Sequence, residues 1–152
     1  MGNVEMPPYQ FDAARWDSAD RATGIATLVL IVSLFLPWFS ASFLGVSLSE
    51  NGLSAHGYLY ITLIISLFLL IYLLARAGWD SLPIATHVAH SSVMLVGSGL
   101  NAVFVVIGFL SKPRGGIVSV SWSTGAWIAL VASIIAFAQF GIPAIQARRS
   151  GQ

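Results

Sequence analysis

Two histidines and an aspartate are the residues of this chain whose types and spacing could do chemistry. His87 and His90 are three residues apart, and Asp80 precedes them in a short loop. Imidazole nitrogens and a carboxylate are ligands that Zn²⁺ takes from proteins, so the three residues are candidates for a metal site or for an enzyme acting on lipid. Two histidines at helical spacing are also common at the end of a membrane helix. Because no third ligand has a fixed spacing to the pair, we expect no metal and no cofactor.

Other catalytic chemistry has little support in the composition. The chain has no cysteine, which excludes thiolate chemistry and disulfides. All six acidic residues lie outside the apolar stretches described below, whereas proton-coupled transporters usually carry ionisable groups within the membrane. No nucleophile has a base and an orienting group at a recognisable spacing. The sequence therefore predicts a protein that is not an enzyme. A net charge of +1 with scattered basic residues argues against nucleic acid as a partner.

The composition is that of an integral membrane protein. Hydrophobic residues make up 57% of the 152 residues and charged residues only 9%, against about 25% charged in soluble domains. A membrane-spanning helix needs about 20 mostly apolar residues. Four stretches meet this requirement without one Asp, Glu, Lys or Arg: residues 24–42, 57–75, 88–110 and 125–146. We therefore expect an all-α fold, a bundle of four transmembrane helices.

The basic residues predict the orientation of this bundle. If all four stretches cross the membrane, five arginines lie on one side, and Lys112 and Arg114 lie on the other. The positive-inside rule then places both termini in the cytoplasm, and we assign the chain to the plasma membrane. This gives a cytoplasmic segment over residues 1–22, a membrane domain over 23–147 and a tail over 148–152. The first segment is either a short interfacial helix beginning at Ala13 or a frayed tail with one turn.

Two short stretches between the predicted helices have the alternation of a half-buried strand. The sequence GVSLS over residues 45–49 matches IVSVS over residues 117–121. Such a period of two is typical of strands, and Asn51-Gly52 is a turn signal. We expect the two strands to pair as a small two-stranded β cap on the extracytoplasmic side. The match also indicates a repeat of a helix–strand–helix unit, or a coincidence, because the pattern V-S-x-S is common.

Small and polar residues recur on one face of the third and fourth predicted helices. Helices associate in lipid through such residues, because small side chains allow close approach and polar ones form hydrogen bonds. Antiparallel packing would bring Asn101 near Ser133, either as an interhelical hydrogen bond or as the lining of a polar pathway. The helix-packing and polar candidates are Gly97, Asn101, Gly108, Gly125, Ala129, Ala132, Ala136 and Gln139.

The small, uncharged bundle favours a non-catalytic function. We expect an accessory, assembly or scaffold subunit of a larger membrane complex, with Trp79 and Trp122 as candidate contact residues. Its partners would be the bilayer and either a membrane protein or further copies of itself. The alternative is an oligomeric pore or facilitator lined by polar residues of the third and fourth helices. That alternative requires the polar stripe to face a symmetry axis and not the core of each bundle.

Overall fold

The computed structural model describes residues 8–79, 88–114 and 118–151. Within them, four helices are long and apolar enough to cross a membrane, which confirms the prediction of four long apolar helices. A single 3₁₀ turn, Ala13–Arg15, precedes the first long helix. The helices are α1 (Ser18–Phe35), the short α2 (Gly52–Ala55), α3 (Leu59–Gly78), α4 (His90–Leu110) and α5 (Thr124–Ser150), and the strands are β1 (Pro37–Phe43), β2 (Val46–Asn51) and β3 (Ser119–Trp122).

The four long helices form a four-cornered bundle. α1 packs against α3 and α5, and α4 packs against the same two helices. Because the chain alternates direction, the start of α1, the end of α3, the start of α4 and the end of α5 meet at one end, called here the Asp20 end. The three strands lie at the other end, called here the sheet end. An apolar core cluster fills the bundle near the sheet, where Leu30, Leu34, Trp38 and Val105 are buried.

The first helix is shorter at its outer end than the predicted span of residues 24–42. α1 ends at Phe35, and Leu36 has the extended dihedral angles φ −77° and ψ 160°. A residue before proline avoids the helical region for steric reasons, so Pro37 forces this ending. The carbonyl oxygen of Ser33 at the helix end accepts hydrogen bonds from the backbone N–H of Leu36 at 3.2 Å and from the indole of Trp38 at 2.9 Å. Residues 37–42, which we expected to be helical, belong to strand β1.

The prediction of a two-stranded cap is wrong, because the sheet has three strands in the order β2-β1-β3. The two strands expected to pair with each other instead pair on opposite sides of β1, both antiparallel to it. β1 directly continues α1, and β3 leads directly into α5. Since α1 and α5 pack together, their continuing strands become neighbours. β2 takes the other side of β1 through a two-residue turn.

The turn that joins β1 to β2 is at Leu44-Gly45, whereas Asn51-Gly52, predicted as a turn after the strand, lies where β2 ends and α2 begins. Both turn residues have positive φ, 46° for Leu44 and 81° for Gly45, as in a type I′ hairpin turn. The side chain of Asn51 instead caps α2 by accepting a hydrogen bond of 2.8 Å from the backbone N–H of Ser54. Gly52 is needed for close approach, because a Cβ there would lie 2.7 Å from the Trp38 ring.

The register gives the sheet one serine face and one apolar face. Opposite residues on neighbouring strands share a face, and successive residues alternate between faces. Both ladders place serine opposite serine, and the hydroxyl oxygens of Ser40 and Ser121 are 3.0 Å apart. The apolar face begins over the bundle, where Phe39 is buried in the core. Beside Phe39 this face holds Trp122 and the charged Glu50, and it continues outward through Ala41, Phe43, Val46, Leu48 and Val120.

Candidate functional site

Ionisable and aromatic side chains from three helices meet at the Asp20 end. Asp20 of α1 is only 2% exposed, and its carboxylate lies 2.7 Å from Nε2 of His90 on α4. The guanidinium of Arg76 on α3 forms an ion pair with the same carboxylate at 3.8 Å. A buried carboxylate is costly without such partners, since its charge has left water. Asp20 therefore connects α1, α3 and α4.

Both ring nitrogens of His90 already have partners within the chain. Nε2 faces Asp20, and Nδ1 lies 3.2 Å from the hydroxyl of Tyr72. The imidazole also stacks on the Tyr72 ring at 5.6 Å and contacts the edge of Phe140 at 5.8 Å. A general base must have a nitrogen free to take a proton from a substrate. The contacts of His90 therefore join neighbouring helices.

The sequence before α1 positions Asp20. The side chain of Asp17 accepts a hydrogen bond of 2.7 Å from the backbone N–H of Asp20, which is N-terminal capping. The indole of Trp16 donates to the carbonyl oxygen of Leu73 at 2.8 Å, which ties the approach of the chain to α3. The described part of the segment before α1 thus contains a 3₁₀ turn, Ala13–Arg15, that packs on α3.

Of the three residues considered as candidate metal ligands, the structure describes only His90. Asp80 and His87 lie outside the described residues, and His90 is paired with Asp20. Within the ranges that the structure describes, no group of three His, Cys, Asp or Glu residues is arranged to hold a metal ion. Sequence reasoning did not select Asp20, Tyr72 and Arg76. The available signal was that Asp20, Arg76 and His90 lie near helix ends on one predicted side of the membrane.

A layer of polar side chains crosses the middle of the bundle. Each long helix contributes a buried member: Thr27, Ser66, Asn101 and Ser133. The amide of Asn101 donates a hydrogen bond of 2.9 Å to the hydroxyl of Ser66 on α3, whereas the Ser133 hydroxyl bonds within its own helix, to the carbonyl of Leu130. The layer separates the apolar cluster near the sheet from a second one at the Asp20 end. Asn101 is thus directed into the core of its own bundle.

The small residues of α4 and α5 lie where backbones and large side chains approach. A Cβ at Gly97 would lie 2.7 Å from Leu69, and one at Gly108 would lie 3.1 Å from the Trp38 ring. A Cβ at Gly125 would lie 2.6 Å from the carbonyl oxygen of Pro37, at the junction of the sheet and the bundle. On α5, Ala129, Ala132 and Ala136 are buried, whereas Gln139 is half-buried.

The two tryptophans proposed as contact residues are both held by the fold. Trp79, after the end of α3, packs edge to face with Tyr9 at 5.3 Å. The Trp122 indole donates a hydrogen bond of 2.9 Å to the carbonyl oxygen of Phe109 and stacks on the Phe109 ring. The ammonium of Lys112 lies 4.6 Å from the centre of the Trp122 ring, a cation–π contact. Trp122 still has 40% of its surface exposed.

The sheet end carries exposed apolar side chains that the bundle does not cover. β1, β2 and the turn between them are called here the hairpin. Four apolar side chains on it are exposed: Phe43 at 52%, Leu44 at 87%, Val46 at 62% and Leu48 at 70%. Leu44 also has positive φ, which is a strained conformation for a residue other than glycine, asparagine or aspartate. Sequence reasoning did not predict the hairpin because it assigned residues 37–42 to the first helix and expected one strand after it.

His56, just before α3, is half-buried under the sheet. Its ring stacks on Tyr58 at 5.2 Å and meets the edge of Phe39 at 5.6 Å. Burial lowers the pKa of His56, and the Gly108 carbonyl and Glu50 raise it by less. The neutral imidazole is therefore the form that fits this site.

Comparisons with known proteins supply no relative to interpret these features. No protein-family model, curated protein or solved structure matches the chain. The function is therefore inferred from the geometry of the Asp20 end, the polar layer and the hairpin.

Proposed function

We propose that the chain is a non-catalytic, multi-pass membrane protein that acts as an accessory, assembly or scaffold subunit of a larger membrane complex. The observation that carries the proposal is the hairpin, with four apolar side chains exposed beyond the ends of the membrane-length helices. The bilayer can cover the apolar sides of the helices, but side chains above it need another cover. Exposed apolar patches on soluble surfaces mark contact sites for proteins.

The strained leucine supports the same reading. An asparagine at the position of Leu44 would suit a type I′ turn, because asparagine tolerates positive φ and prefers this turn. Because Leu44 is 87% exposed, its side chain makes little packing contact that could offset the backbone strain. Strain that gives no local benefit is typical of functional positions. We therefore assign Leu44 to an intermolecular contact.

The Asp20 end supports a function without catalysis. Its histidine, carboxylate and tyrosine are bonded to one another, and the group connects three helices. A substrate would have to break these contacts to reach a reactive atom. We interpret the cluster as structural, with contacts that hold the helices together at this end of the bundle.

We further propose that the four helices lie in the plasma membrane with both termini in the cytoplasm. The basic side chains at the Asp20 end, among them Arg21, Arg76, Arg148 and Arg149, support this orientation under the positive-inside rule. The hairpin is then extracytoplasmic. The helix–strand–helix repeat remains a prediction, in which β2 and β3 would be equivalent strands.

The oligomeric pore is less well supported. A pore built from several copies needs its polar residues on the outer surface of each bundle, facing the symmetry axis. Asn101 and Ser133 are instead buried within the chain, 2% and 0% exposed, and Asn101 has a partner in Ser66. We therefore prefer the accessory subunit.

The test is purification of the chain from its native membrane in a mild detergent, with the mass of the particle and its components measured together. We expect a stoichiometric second protein. A ring of identical chains that conducts ions in liposomes would support the pore instead, and a monomer from every mild detergent would contradict both.

A further inference from the structure

We propose that the partner protein adds an extended segment to the free edge of β2, as an additional strand of the sheet. This inference rests on the proposed accessory function and specifies how the partner binds. Within the described residues β2 pairs only with β1, so one of its edges is unpaired. Five of its six residues are exposed, and the sixth, Asn51, is partly exposed. An exposed strand edge is a template for pairing with another chain.

The register shows which backbone groups of β2 are free. The backbone N–H of Ser123 donates 2.7 Å to the carbonyl oxygen of Trp38, so this residue of β1 directs its backbone groups toward β3. Backbone directions alternate along a strand, so Phe39, Ala41 and Phe43 direct theirs toward β2. Their register partners in β2 are Glu50, Leu48 and Val46.

Ser47 and Ser49 therefore direct their backbone N–H and C=O groups to the free edge. A strand pairing there would meet the same serine face that β1 and β3 share, where Ser40 and Ser121 already make a cross-strand contact. On the other face it would meet Val46 and Leu48. The segment that fits alternates apolar and small polar residues.

Glu50 adds a charge requirement. It is exposed on the apolar face of β2, close to the bundle. Opposite charges on neighbouring strands stabilise a sheet, and like charges oppose pairing. The complementary segment therefore carries a lysine or arginine near Glu50.

β2 has few of the features that normally protect a strand edge, apart from Glu50 and a register irregularity in its partner β1 between Pro37 and Phe39. Natural edges are often short or carry lysine, proline or a bulge. β3 is only four residues long, and Lys112 and Pro113 belong to the segment beside it. β2 is six residues long, has neither lysine nor proline, and is apolar at two exposed positions on one face.

A lipid surface is a poor occupant for this edge. Unpaired backbone N–H and C=O groups cannot enter hydrocarbon without a large loss of free energy. A polypeptide strand satisfies those groups and covers Val46 and Leu48 at the same time. The free edge therefore favours a peptide segment over the bilayer.

The test compares Ser49→Pro with Ser49→Thr in the full chain purified from its native membrane. Proline removes a backbone N–H that points away from β1, so the sheet should tolerate it, while threonine keeps that N–H and favours strands. We expect Ser49→Pro to reduce the copurified partner at least tenfold, and Ser49→Thr to retain it. Circular dichroism and thermal unfolding check that both variants fold.

Amide hydrogen exchange read at single residues provides the second measurement. In wild-type chain stripped of partner, the amides of Ser47 and Ser49 should exchange fast while those of Val46 and Leu48 exchange slowly. In the native complex, Ser47 and Ser49 should become slow as well. Fast exchange at both serines in the complex would overturn strand addition, and so would slowing in liposomes of the stripped chain alone, which would identify lipid as the cover.

The outcomes separate the two proposals. Equal partner recovery with Ser49→Pro and Ser49→Thr would overturn strand addition and leave the accessory function standing. Absence of any partner with the wild-type chain would overturn both. A particle made only of identical chains and lost in Ser49→Pro would overturn the assignment to a different protein.

Discussion

The two ends of the bundle use their polar groups in opposite ways. At the Asp20 end, a buried carboxylate, a histidine, a tyrosine and an arginine contact one another across three helices. At the sheet end, the backbone groups of Ser47 and Ser49 point outward, and Leu44 is exposed and strained. The interactions at the Asp20 end join three helices, and we propose that the free groups at the sheet end bind a second molecule.

Removing the carboxylate should give the largest loss of stability. Asp20→Ala leaves His90 and Arg76 without their shared partner, and breaking a largely buried ion pair costs about 3 kcal/mol when the remaining charge stays inside. Because the two partners keep 24% and 31% exposure, we expect about 2 kcal/mol. Denaturant unfolding in detergent measures this. Asp12→Ala, which affects only the exposed 3₁₀ turn, is the control. Equal losses of unfolding free energy in both variants would mean that the Asp20 cluster does not hold the helices together.

The junction of the sheet and the bundle should be almost as sensitive. Gly125→Ala puts a methyl group 2.6 Å from the Pro37 carbonyl oxygen, and overpacking of this kind costs about 1 to 3 kcal/mol. Gly57→Ala is the matched control, because nothing lies within 4 Å of the added atom. We expect the control to stay within about 0.5 kcal/mol of wild type. A neutral Gly125→Ala would show that the junction can relax.

The polar layer should contribute less. A double-mutant cycle with Asn101→Leu and Ser66→Ala isolates the hydrogen bond between the two side chains. Interhelical hydrogen bonds in membranes average about 0.6 kcal/mol, so we expect a coupling of that size. A coupling near zero would mean that the Asn101 amide finds an equivalent partner elsewhere.

The stability of the fold should depend weakly on pH because of His56 at the sheet end. Burial lowers the pKa of His56, so the unfolded chain binds its proton more readily than the folded chain. Stability should therefore fall as the pH drops through about 6.5, the ordinary histidine pKa, toward the lower folded value. Thermal unfolding at pH 7.5 and pH 5.5 measures the loss. His56→Phe, which keeps a ring but does not titrate, should lose less. An identical loss in both proteins would refute the assignment to His56.

The sequence was sufficient for the four apolar helices, because about 20 uncharged residues in succession have few other uses. It was not sufficient for the end of α1, although the steric effect of Pro37 on Leu36 was available and was given too little weight. The order of the strands in the sheet could not be predicted from the alternation of apolar and polar residues, because GVSLS and IVSVS could pair with each other or with a third strand. Which strand lies between them depends on α1 packing against α5.

The site residues also divide into those that the sequence predicted and those that it did not. Asn101 was selected because an amide in an apolar stretch needs a partner, and that partner is Ser66. Asp20 was not selected, because its contact with His90 depends on the relative heights of two helices that are 70 residues apart in sequence. Periodicity within one helix carries no information about such a register. Leu44 was not selected because only the backbone reveals its positive φ.

The most direct test of the sheet end as the working surface is Leu44→Asn, with stability and partner recovery measured on the same preparation. Asparagine relieves the strain at positive φ, so we expect the free energy of unfolding to rise by about 1 kcal/mol. The same change removes an exposed apolar contact, so recovery of the partner should fall several-fold. Higher stability with unchanged partner recovery would contradict the assignment of the hairpin as the contact surface.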